Sequence, residues 1–143
     1  MPRLTTSVYL LEDQAIDTAA SSKTIVLADN EPFIIHAYKS GLEEAGYIVA
    51  VAEDGEEAVR QIVALRPDIV LLELILPKQD GFSVLKTVKA DPAISSIPVI
   101  VLTSLTQEPD VAEARNCGAA DVLVKTDVSL QDVIMSIDRL LSQ

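Results

Sequence analysis

Residues 69–81 read "IVLLELILPKQDG". Ile69 to Leu72 are apolar without interruption, so this strand is buried on both faces rather than one. Glu73 breaks the run. Leu74, Ile75 and Leu76 follow, then Pro77, and Asp80-Gly81 supplies a turn. A buried carboxylate without a partner is costly. Glu73, at the end of a buried strand, is therefore a candidate functional residue.

The same grammar repeats on both sides. "TIVLA" (24–28) is an apolar run that ends in Asp29-Asn30, with Pro32 placed to open a helix. Residues 32–45 carry Ile34, Ile35, Tyr38, Leu42 and Ala45 at helical spacing, and Gly46 stops the helix. "YIVAVA" (47–52) predicts a strand, and "DGEEAVRQIVALR" (54–66) a helix with Ala58, Ile62 and Leu65 inward. The strand "IVLLEL" (69–74) leads to the helix "FSVLKTVKA" (82–90). "IPVIVLTS" (97–104) and "DVLVK" (121–125) are further strands around the helix 108–118, and "SLQDVIMSIDRLL" (129–141) is an amphipathic closing helix.

Strands alternating with helices, each strand near-continuously apolar, predict an α/β fold: a doubly wound parallel sheet covered on both faces. In such sheets function sits at the carboxyl ends of the strands. Those ends carry Asp29-Asn30, Glu73, Thr103-Ser104 and Lys125. Any one polar residue there is ordinary at a sheet rim, but the whole set in this order points to one site.

Composition bounds the function. The chain has 143 residues, 49% of them apolar, and a formal net charge of −11. That charge speaks against a nucleic-acid surface. The single cysteine, Cys117, rules out an internal disulfide and suits a reducing cytoplasm. With one histidine, His36, a zinc site is not expected. No apolar stretch reaches the roughly 18 residues of a membrane span.

The motifs "VLADNEP", "AEDGEEAV", "RPDIVLLELILPKQDGFSVLKTVK", "IPVIVLTS" and "GAADVLVK" resemble the receiver domain of two-component response regulators, over residues 23–142. The resemblance implies a flavodoxin-like (βα)5 fold with strand order 2-1-3-4-5. It implies a phosphoryl group passed from a histidine kinase to an acid at the end of the third strand. It also implies a divalent ion, normally Mg2+, that neutralises the phosphoryl oxygens. By position, Glu73 falls on the phosphoacceptor, Thr103 on the switch hydroxyl and Lys125 on the lysine. Asp29, Asn30, Glu73 and the Ile75 backbone carbonyl fall on the metal ligands.

This chain departs from the family pattern. Glu73 stands where the family has Asp, and its carboxylate lies farther out by one carbon–carbon bond, roughly 1.5 Å. Misplacing a nucleophile by about 1 Å costs on the order of 100-fold in rate. The longer reach points Glu73 toward Thr103 and Lys125, so it would imitate the phosphorylated state. Asn30 replaces an acid at the metal, leaving a weak or absent Mg2+ site. Val122 replaces an aromatic switch residue, and Thr126 a proline after the lysine.

The resulting expectation is a stand-alone receiver-like protein of a phosphorelay. It is not an enzyme, its phosphorylation is impaired or mimicked by Glu73, and its output is protein–protein contact. The alternative is a phosphorylation-competent, Mg2+-dependent response regulator. A third reading is a constitutive homodimer or scaffold through the last helix and the amino extension, and the fourth-helix and fifth-helix face is a further candidate dimer surface. The domain spans 23–143. Residues 1–22, with Leu4, Val8, Leu11 and Ala15 at heptad-like spacing, form either a loose tail or a short docking helix.

Overall fold

The computed structural model describes residues 23–143. The expectations for residues 1–22 lie outside them. Strands β1 (Thr24–Ala28), β2 (Ile48–Ala52), β3 (Ile69–Leu72), β4 (Val99–Thr103) and β5 (Asp121–Val124) form one sheet in the order β2-β1-β3-β4-β5. All pairings are parallel. Helices α1 (Pro32–Glu44), α2 (Gly55–Leu65), α3 (Gly81–Ala90), α4 (Glu108–Asn116) and α5 (Leu130–Leu141) make the crossovers and the closing element. This is the flavodoxin-like order expected.

The strand pleat sorts the core. Ile25, Leu27, Ile69, Leu71, Ile100 and Leu102 point to one face, against Tyr38 and Leu42 of α1 and Val133 and Ile137 of α5. Val26, Ala28, Val70, Leu72, Val99 and Val101 point to the other, against Ala58 and Ile62 of α2, Val84, Leu85 and Val88 of α3, and Ala114 of α4. Two covered faces explain why the strands read as unbroken apolar runs. Each fully buried Leu or Ile contributes about 1.5–3 kcal/mol.

Three helices begin at side-chain caps. Asp54 accepts from the Glu57 N–H at 2.7 Å, Asp80 from the Ser83 N–H at 3.0 Å, and Ser129 forms a capping box with Asp132. Gly46 (φ 102°) and Gly118 (φ 105°) follow α1 and α4 in the left-handed conformation that closes a helix. Two details differ from expectation. Ala45 is exposed beyond the end of α1. Leu65 is also exposed, because α2 ends there and Arg66 (φ 46°) turns the chain away.

Strand register builds the site. Ala28 pairs with Leu72, so the next residues, Asp29 and Glu73, leave the sheet side by side. Thr103 pairs with Val124, which sets Lys125 one step beyond. The sequence predicts a third strand running through Leu74, but its ladder ends at Leu72. The Glu73 carboxylate takes the N–H groups of Leu74 and Ile75, and this local bonding bends the backbone out of the sheet.

Candidate functional site

Glu73 is 4% exposed, Asp29 1% and Thr103 0%, and the Lys125 side chain is 8% exposed. Charges buried to this degree must be paired. Glu73 Oε2 accepts from the Thr103 hydroxyl at 2.5 Å, the Leu74 N–H at 2.6 Å and the Ile75 N–H at 3.1 Å. Glu73 Oε1 pairs with the Lys125 ammonium at 2.9 Å and accepts from the Ser104 N–H at 3.2 Å and weakly from the Ser104 hydroxyl at 3.4 Å. A carboxylate offers about four lone-pair sites. Both oxygens of Glu73 are therefore committed to the protein.

Lys125 lies at the centre of three acids. Its Nζ is 2.7 Å from Asp29 Oδ2, 2.9 Å from Glu73 Oε1 and 3.0 Å from Glu31 Oε1. Burial opposes the charge on both Glu73 and Lys125, and in both cases the partners win. The Thr103 hydroxyl, Lys125 and the Ile75 N–H hold Glu73 below the usual carboxylate range. Asp29, Glu73 and Glu31 hold Lys125 above the usual lysine range.

The fold thus gathers Asp29, Glu73, Thr103 and Lys125. Asn30 is exposed, and the Ile75 side chain is half exposed while its N–H faces Glu73. Val122 is buried as an ordinary core residue, and Thr126 is exposed in a 3-10 turn over Lys125–Asp127. Sequence reasoning missed Glu31. Its N–H bonds to Asp29 Oδ1 at 3.0 Å, and this short turn folds the side chain back over Lys125. The signal was present in "DNEP", where an acid sits just before the helix-opening proline. Ser104, expected only as a strand end, is a donor to Glu73.

Gly81 fixes the floor. A Cβ there would lie 2.4 Å from the Glu73 carbonyl oxygen and 2.5 Å from Leu74 Cα. Only glycine lets the start of α3 pack this close to the acid's backbone.

Residues 25–137 match the family model described as the response regulator receiver domain. The chain belongs to this family. It is 40% identical over 101 residues to the DNA-binding dual master transcriptional regulator RpaA of Synechocystis, covering 71% of this chain and 42% of that protein. The signal receiver domain of a signal transduction histidine kinase from Syntrophus aciditrophicus superposes with a TM-score of 0.78 at 32% identity, over 85% of this chain and 91% of that one. The receiver domain of a sensor histidine kinase from Pseudomonas aeruginosa, solved with a magnesium ion coordinated in its active site cleft, gives a TM-score of 0.79 at 25% identity, over 85% and 99%. The chain spans 16% to 53% of the length of curated relatives that it matches. A receiver is a signalling module rather than an enzyme.

Receiver domains bind Mg2+ at an acidic site, and here Asp29, Glu31 and Glu73 bring carboxylate oxygens within 4.8 Å of one another. The donor set as folded does not fit that ion. Each of these carboxylates already holds the Lys125 ammonium, and the oxygens of Glu73 have no lone pair left over.

Proposed function

We propose that this receiver is held near one signalling state by Glu73, which occupies the place of a phosphoryl group, and that its capacity to accept one is impaired. The observation that carries this reading is the donor set around the Glu73 carboxylate. A hydroxyl, an ammonium and the N–H groups of Leu74, Ile75 and Ser104 converge on it. Such a cradle is chemically suited to an oxyanion. The extra methylene carries the carboxylate into it. An acceptor must instead aim a free lone pair outward at the donor's phosphorus. Glu73 is both buried and committed, so it is a poor nucleophile.

Thr103 and Lys125 then act as permanent ligands of the carboxylate, and Asp29 holds Lys125 in place. Asn30 and Ile75 complete a metal position that is weak or absent. Histidine kinases and other signalling proteins are the partners of receivers. Here the output is contact with such a protein in the reducing cytoplasm, through the face of α4, β5 and α5 whose shape Thr103 and Lys125 set. Self-association through the same face is the rival output. A mass titration against concentration separates the two.

The test is intact mass after incubation with a small acyl-phosphate donor, with and without Mg2+. The expected result is no phosphoryl adduct on the native chain and uptake by Glu73→Asp, whose shorter carboxylate leaves the cradle. A Mg2+-dependent adduct on the native chain, lost in Glu73→Gln, would reinstate a phosphorylation-competent regulator.

A further inference from the structure

The misfit at the metal position has a positive counterpart. We propose that Lys125 is the resident cation of this site, and that its ammonium, rather than the missing acid at Asn30, is what bars a divalent ion. The proposal deepens the reading of Glu73 as a fixed anion, and rests on it.

An ammonium has three N–H donors. The three carboxylates of Asp29, Glu73 and Glu31 pair with Nζ at 2.7, 2.9 and 3.0 Å, the Glu31 contact being a hydrogen bond as well. Mg2+ demands oxygens at about 2.1 Å in an octahedron, which places neighbours only about 3 Å apart. Carboxylate oxygens at 2.7–3.0 Å from one nitrogen stand at ammonium distances rather than at the roughly 2.1 Å of a metal–oxygen bond. A divalent ion would have to expel a buried amine and strip Glu73 from Thr103.

Two causes of weak metal binding are thereby separable. If the lost charge at Asn30 were responsible, restoring an acid at that exposed position would restore the ion. If Lys125 is responsible, Asn30→Asp leaves binding weak, while Lys125→Met vacates the cage and leaves three carboxylates around an apolar stem.

The experiment is calorimetric titration of the native chain, Asn30→Asp, Lys125→Met and Lys125→Ala with MgCl2 and MnCl2, with folding checked by circular dichroism. Native and Asn30→Asp chains should bind only at millimolar levels or weaker, and removal of the ammonium should tighten binding at least tenfold. Submillimolar binding by the native chain or by Asn30→Asp overturns the proposal. So does a folded Lys125 variant whose affinity equals the native one. If neither Lys125 variant folds, the Asn30→Asp arm decides by itself. None of these titrations uses phosphoryl transfer. A native chain that accepts a phosphoryl group refutes the fixed-anion reading, whereas tight metal binding without uptake refutes only the resident cation.

Discussion

Replacing Glu73 by Gln keeps the shape of the side chain and removes its charge. Whichever way the amide turns, its NH2 group faces donors. Against the Oε2 position stand the Leu74 and Ile75 N–H groups and the Thr103 hydroxyl; against Oε1 stand Lys125 and the Ser104 N–H. The hydroxyl can rotate to accept, but the N–H groups cannot. Breaking a buried pair by removing one partner costs about 3–5 kcal/mol. Two features moderate that figure here. Lys125 keeps Asp29 and Glu31, and the loss of one acid relieves repulsion from Asp29. A net cost of about 3 kcal/mol at pH 7 follows, roughly 150-fold in the unfolding equilibrium. Urea denaturation reads it directly: with m about 1.5 kcal/mol/M, the midpoint falls by about 2 M at unchanged m. The pH dependence supplies a second check. Glu73 is held below its ordinary value, so its stabilisation is present above the unfolded carboxylate pKa of about 4.3 and fades as pH falls through the lower folded value. The two curves should converge in acid. A Glu73→Gln variant as stable as the native chain at pH 7 would show that acid–acid repulsion cancels the cradle, and the fixed-anion reading would fail.

Thr103→Val removes the hydroxyl donor to Glu73 and the acceptor for the Leu105 N–H at 3.1 Å. A loss of about 1–2 kcal/mol is expected, lowering the melting temperature by roughly 3–4 °C per kcal/mol in a calorimetric scan; an unchanged melt would mean that water replaces the hydroxyl without cost. Gly81→Ala forces a methyl group against the Glu73 carbonyl and Leu74 Cα. It should cost about 1–3 kcal/mol by overpacking, and amide shifts at Leu74, Ile75 and Ser104 in an NMR spectrum should show the cradle displaced with it.

The fold was legible because the strands are short, apolar and bounded by turn residues. Their ends named most of the site, since parallel strands in register deliver the residue after each run to one edge. What sequence could not give was the direction of each side chain. Glu31 escapes the strand-end pattern because it lies beyond the end of β1, and only the turn made with Asp29 brings it onto Lys125. Asn30 draws attention as a departure from the family, yet it is exposed, while its neighbour supplies the charge. The end of β3 is hidden for a related reason. Periodicity sees Leu74 as one more apolar strand residue, but the Glu73 carboxylate competes for its N–H and wins.

One methylene accounts for much of the difference between this site and the family pattern. A shorter acid, anchored at the same backbone position beside Ala28, would end short of the Glu73 carboxylate position by one carbon–carbon bond, roughly 1.5 Å. With the longer side chain, the donors that would await a phosphoryl group are satisfied from within the chain. Lys125 is drawn in by Glu73 and Asp29 on its buried side and covered by Glu31 from the exposed side. That outer bridge is solvent-screened and adds little stability. Its consequence is geometric: it supplies the third oxygen of the ammonium cage. The substitution at the acceptor and the acid at position 31 therefore act on the same nitrogen, one fixing the anion and the other helping to hold the cation that pairs with it.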